Sequence, residues 1–248
     1  MYPDNYYSAQ IECFLKQHDY KPTRRGADLP WWGSRYFSEA KSQRFFIISQ
    51  DSLSADAGSI VFFANLFPVY KSKDEYERYH SSLGPNQSFR YSSWVKLKVL
   101  FEQQWKLNYD FLYITDAAKV YKQGSWKDRA FDKPRSKKLL EKEIKFCNPD
   151  LIIILGSPGL SLLLPDVKFS NIVEMVKPIS IQGIKTVVAP FPIGNGPTQP
   201  RFKERLELAT EKIKNAGKSL RGFELIINDR YYEKFEEECQ RHYERALT

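Results

Sequence analysis

Cysteine is scarce in this 248-residue chain, and the three present, Cys13, Cys147 and Cys239, are far apart. No C-x-x-C pair occurs, which argues against a disulfide framework and against a zinc ribbon. Histidine is equally sparse, with three residues, His18, His80 and His242. No apolar run approaches the ~20 residues that a membrane helix needs. The opening Met1-Tyr2-Pro3-Asp4 lacks the basic stretch and apolar core of a secretory signal, so a cytoplasmic protein is expected. No G-x-x-x-x-G-K-[ST] pattern is present, which argues against a P-loop enzyme. There is no internal repeat and no Pro- or Ser-rich linker, so one domain is expected over residues 1–248, with helical extensions at both ends.

What is present is apolar and basic. Hydrophobic residues make up 42% of the chain and aromatics 15%, ample for a core. Lysine and arginine number 38 against 30 acidic residues, a net charge of +8. That balance favours a polyanionic partner such as nucleic acid. Basic residues concentrate in Lys119–Lys127, with Trp126, and in Arg129–Lys138. The run 136–145 reads as a solvated helix face.

The apolar pattern predicts four strands: about 44–49, Phe111–Thr115, Leu151–Leu155 and Thr186–Ala189. Helices are predicted over 5–19, Asp74–Tyr79, from Ser92 or Ser93 to about Lys106, from Ser136 to about Phe146, over Leu160–Leu164, and from Pro200 to about Asn215. The tail, 222–248, reads as a short strand and a helix. Lys21–Ser34 reads as a loop, with Trp31-Trp32 anchoring it on a core or stacking on bases. Strands alternating with helices give a three-layer α/β/α sandwich around a central four-stranded parallel sheet. The unbroken apolar Leu151–Leu155 suits a strand covered on both faces.

Ligands bind beyond the carboxyl ends of strands in such sheets. Four strand ends are then candidates: Ser49-Gln50-Asp51-Ser52; Thr115-Asp116-Ala117-Ala118-Lys119; Gly156-Ser157-Pro158-Gly159; and Phe191-Pro192-Ile193-Gly194-Asn195. An acid such as Asp51 at the mouth of a cleft can do chemistry, or it can simply cap a turn.

In order and spacing these segments resemble the motifs of the uracil-DNA glycosylase superfamily, over roughly residues 44 to 210. The resemblance implies roles. Asp51, beside Gln50, matches the acid that activates water or stabilises the cationic sugar. Gly58 with Phe62 or Phe63 matches the aromatic that stacks on the flipped base, and Phe63 is the better fit. Asp116 stands where the family's base-reading Asn lies, followed by Lys119. Asn148-Pro149-Asp150-Leu151 through Gly156-Ser157 matches the phosphate-approaching strand. Phe191-Pro192-Ile193 falls where the family has His-Pro-Ser and a wedge loop, making Ile193 the wedge and Asn195 a DNA contact.

Two departures stand out. Phe191 cannot donate the hydrogen bond that the family's histidine supplies, and loss of such a donor typically costs ~10²–10³ in rate. Asp116 ionised only accepts hydrogen bonds, where Asn both donates and accepts. Some branches of the superfamily hold an iron–sulfur cluster on four cysteines; with three here, no cofactor is expected. The resemblance thus implies a monomeric enzyme of base excision repair that flips a damaged or deaminated base out of DNA and hydrolyses its N-glycosidic bond. A catalytically silent relative that binds nucleic acid, and an enzyme acting on free nucleosides or nucleotides, remain open at this stage.

Overall fold

The computed structural model describes residues 30–37, 43–50, 60, 73–82, 91–118 and 133–219. The predicted terminal helices at 5–19 and 222–248 lie outside these residues, as do most of 58–70 and nearly all of the basic loop.

The protein is α/β, with a six-stranded mixed sheet. Strand β1 is Trp31–Trp32, β2 Phe45–Ser49, β3 Leu112–Asp116, β4 Leu151–Leu155, β5 Ile179–Ile181 and β6 Ile184–Ala189. The order across the sheet is β1-β3-β2-β4-β6-β5. The inner four are the expected parallel strands, and β1 and β5 add antiparallel edges. The expected four-stranded sheet is therefore corrected to six strands.

Each added strand has a physical reason. Trp31 and Trp32, read as loop, pair with Ile114 and Tyr113 and are both buried. The Trp32 ring stacks on Tyr113 at 5.9 Å, and Tyr113 stacks on Phe46 at 5.0 Å, a row of rings across three strands. Such cross-strand aromatic pairs stabilise a sheet. Of the two roles considered for the tryptophans, the structure shows packing on the core. Strand β5 returns into β6 through Gln182-Gly183, both at positive φ (52° and 81°). Two left-handed residues make the tight turn whose twist matches a hairpin.

Helices cover both faces. Helix α1 is Lys73–Ser82 and α2 Tyr91–Val99, the latter continuing as a π-helical segment, Leu100–Gln104. Helix α3 is Lys133–Cys147, α4 Ser157–Leu163, α5 Phe169–Val173 and α6 Phe202–Ser219. One core joins Phe45, Ile47, Leu112, Ile114, Leu151, Ile153 and Leu155 to Val95, Phe101 and Trp105 and to Leu206, Ala209 and Ile213 of α6. The other joins Phe46, Ile48, Ile152 and Ile154 to Leu140, Ile144 and Cys147 of α3 and to Leu160 and Leu163 of α4. Alternate strand residues thus feed opposite cores, the period-two rule of a doubly covered sheet.

Helix α3 begins earlier than its apolar pattern suggested, at Lys133, because Pro134 fits a first helical turn, where its missing N–H is no loss. Its inward face is Leu139, Leu140, Glu143, Ile144 and Cys147. Phe146, near the expected helix end, is 40% exposed despite its apolar ring, and Glu143, read within a solvated run, is buried. The 3.6-residue period puts 143 and 147 between 139 and 140 on the inward face and leaves 146 at its margin.

Candidate functional site

The sheet's connectivity fixes where a site can form. The chain leaves β2 for β3 on one side, then passes back over β2 to β4 and β6 on the other. That reversal is a topological switch point, and ligands bind at the carboxyl ends of the strands flanking it. The flanking ends are those of β2 and β4, at Gln50 and Gly156.

Three of the candidate segments meet there. Gly156 has φ +77° and donates its N–H to the Ala189 carbonyl at 2.8 Å, tying the end of β4 to that of β6. A Cβ at Gly156 would lie 3.3 Å from Phe191 Cβ and 3.5 Å from Gln50 Cδ. Glycine is needed twice over, for the left-handed backbone and for this close approach. Gln50, Gly156 and Phe191 therefore share one small region of the rim. Gln50 and Phe191 are both half-buried there, and Ser157, next in the chain, is exposed.

The fourth segment joins through β3. Asp116 is the register partner of Ser49 on the adjacent parallel strand, and both are buried, Asp116 at 2% exposure and Ser49 at 0%. The ladder continues past both strands, the Ala117 N–H reaching the Ser49 carbonyl and the Ala118 N–H the Gln50 carbonyl, each at 3.1 Å. Side chains alternate, so Ser49 and Asp116 face the core of Phe45, Ile47, Leu112 and Ile114, against which Phe191 also packs.

Behind this rim lies a polar clamp. Glu143 of α3, fully buried, accepts from Tyr113 OH at 2.7 Å and from Thr115 Oγ1 at 3.0 and 3.2 Å through its two oxygens. Tyr113 and Thr115 point to the face opposite Asp116. A buried carboxylate must be hydrogen-bonded, and this one fixes the last turn of β3 from behind. Periodicity did not reveal Glu143, whose charge disguised it as surface.

The loop after β6 is held tightly. A Cβ on Gly196 would fall 1.7 Å from the Phe191 carbonyl oxygen, so residues 191–196 fold closely on themselves. Gly196 N–H reaches the Ile193 carbonyl at 3.1 Å, and Thr198 Oγ1 reaches the Asn195 carbonyl at 2.8 Å. Ile193, expected as a wedge, is 6% exposed and belongs to the core. The exposed tip is Gly194-Asn195. An apolar side chain two residues beyond the rim gains more by burial than by facing water, which is why Ile193 turns inward here. Beyond the tip, Arg201 Nη1 and Arg205 Nη2 each reach a Glu174 oxygen at 2.6 Å. Those bonds hold the Glu174 carboxyl below its ordinary range, the Arg205 hydrogen bond being the largest cause.

Asp51, Phe63 and Lys119 lie outside the described residues, as do Gly58 and Phe62. Among the described residues no group of three or more His, Cys, Asp or Glu side chains is placed to hold a metal ion. Nor is any helix there long and apolar enough to cross a membrane. No known family model matches the chain, and no curated protein matches its sequence.

Proposed function

We propose that the chain is a DNA glycosylase-like protein that removes a damaged or deaminated base, uracil or a related one, by hydrolysing the N-glycosidic bond. The observation that supports this reading is the meeting of Gln50, Gly156 and Phe191 at the switch point, with Asp116 on the neighbouring strand end. These are the segments, in order, that resemble the superfamily motifs. A base removed from the stack needs an aromatic plate, an edge reader and a group near the sugar C1′. In this reading Phe63 is the plate and Asp116 the reader, and Phe191 lines the pocket. Asp51, next after Gln50, activates water or stabilises the cationic sugar. Gly156, Ser157 and the exposed Asn195 approach the phosphates, and Lys119 adds positive charge. The protein then acts as a cytoplasmic monomer in base excision repair.

Phe191 favours a second reading, a glycosylase-fold protein that binds nucleic acid without cutting it, because phenylalanine cannot stabilise charge on a leaving base. One experiment separates the two. Oligonucleotides carrying uracil, hypoxanthine, xanthine or mismatched bases are incubated with the protein and with Asp51→Asn, and abasic sites are measured. Abasic product abolished by Asp51→Asn supports the enzyme. Salt-dependent binding with no product supports the silent relative.

A further inference from the structure

The three Ser and Thr hydroxyls on the parallel strands invite comparison. Thr115 donates to Glu143 at 3.0 and 3.2 Å. Thr186 donates to the Ile184 carbonyl at 3.1 Å. Ser49 Oγ, at 0% residue exposure, has no hydrogen-bond partner among the described residues. A buried hydroxyl left without a partner costs about 1–3 kcal/mol. Packing does not explain it, since alanine fills nearly the same volume without the hydroxyl. Nor does strand propensity, which serine does little to raise. The preceding residues of β2 on that face are Phe45 and Ile47, both apolar, so the polarity appears at the strand's carboxyl end and not along it.

That end is the switch point. Ser49 is the register partner of Asp116, on the same face of the sheet, with strands about 4.8 Å apart. Phe191 packs against the same core. A hydroxyl both donates and accepts, whereas a carboxylate only accepts. Side by side they complement an edge that offers an amine hydrogen to the carboxylate and a ring-nitrogen lone pair to the hydroxyl. The Watson–Crick edges of cytosine and adenine have that pattern. Uracil presents a carbonyl oxygen where the amine would be, and a carboxylate oxygen has no hydrogen to donate to it.

We propose that Ser49 is a ligand-binding residue that, with Asp116, selects a heterocycle bearing an exocyclic amine next to an acceptor ring nitrogen, as in cytosine and adenine. This rests on the reading of the rim as a base pocket, but not on the pocket's being catalytic, and it narrows the base proposed above from uracil to one that carries an amine. The partner missing from the Ser49 hydroxyl is then supplied by the ligand.

The test is titration of the full chain with free cytosine, adenine and uracil, followed by calorimetry or ligand-observed NMR, using wild type, Ser49→Ala, Ser49→Gly and Asp116→Asn. Wild type is expected to bind cytosine or adenine more tightly than uracil. Ser49→Ala should weaken that binding about tenfold, the worth of one good hydrogen bond in a buried site, while its thermal midpoint stays unchanged or rises. Asp116→Asn should shift preference toward uracil. Uracil preferred by wild type, equal binding by Ser49→Ala, or no base bound at millimolar concentration would each overturn the proposal. The abasic-site assay is read independently. Base binding that depends on Ser49 with no abasic product leaves this proposal standing and removes the enzyme. Abasic product unaffected by Ser49→Ala does the reverse.

Discussion

Tyr36 resembles Ser49 in being buried with a hydroxyl that lacks a partner among the described residues, yet its setting is different. It packs edge-on to Phe37 at 4.9 Å and tilted on Tyr113 at 5.5 Å, on the face away from the rim. Burial raises its phenol well above the ordinary tyrosine value, so it stays neutral in the folded chain. Its ring does the packing and its oxygen adds desolvation cost. Tyr36→Phe should therefore be neutral or stabilise the fold by up to ~1 kcal/mol in urea denaturation, and a loss beyond ~1 kcal/mol would reveal a partner for the hydroxyl. Glu143 is the opposite case, an acceptor that two hydroxyls depend on. Glu143→Ala leaves Tyr113 and Thr115 without it and opens a void, a loss of about 2–4 kcal/mol. A drop below 1 kcal/mol in the same titration would mean that β3 is held without the clamp. Neither residue was legible in the chain as such. Tyr36 belongs to no periodic pattern, the charge of Glu143 masked its place on the inward face of α3, and only the docking of α3 on β3 brings Glu143 to Tyr113 and Thr115.

At the scale of elements, the parallel strands were legible because each holds a short apolar run that ends in, or is followed by, a small or polar residue: Phe45–Ser49, Leu112–Asp116, Leu151–Leu155 before Gly156, and Ile184–Ala189. The edges were not. Trp31–Trp32 is two residues long, and its stability comes from stacking across Tyr113 to Phe46, a non-local effect. Strand β5 is held by its hairpin. The candidate site is legible as a set of strand ends, but nothing in the chain singles out Ser49 as a contact, since its missing partner is visible only in three dimensions. The connection from β6 to α6 carries a testable electrostatic anchor. Glu174, just after α5, accepts from Arg201 and from Arg205 on α6, and Lys212 Nζ reaches the Met175 carbonyl at 2.9 Å. A carboxyl whose folded pKa lies below its unfolded value adds stability that is full above the unfolded value and is lost as pH falls through the folded one. The unfolding free energy should therefore decline as pH falls from the ordinary glutamate range downward. In Glu174→Gln that part of the decline should be absent. Denaturant titrations of both proteins across that acid range check it, and parallel pH profiles would show that the arginines add nothing through this carboxylate.

For the molecule as a whole, the net charge of +8 is a statement about partners rather than fold. A base pocket of the proposed kind needs a phosphate-tracking surface around it. The densest basic stretch, 119–138, joins the end of β3 to the early turns of α3, so it is tethered next to Asp116 at one end. A free nucleoside would need little of that charge, whereas a polynucleotide gains from every lysine that displaces a counterion. If DNA is the substrate, log affinity for a single-stranded or duplex oligonucleotide should fall linearly with log salt concentration, with a slope near −0.9 per phosphate neutralised on duplex. Replacing Lys119 and Lys127 together by glutamine should flatten that slope by about 2 on duplex, one step per lysine in contact. Binding of free cytosine, which has no phosphate, should be unaffected by the same double change. Fluorescence anisotropy over a range of salt concentrations measures the first pair of quantities, and calorimetry the second. A salt-independent affinity, or a slope that the double change leaves alone, would detach the basic stretch from recognition and turn the reading toward a small-molecule ligand.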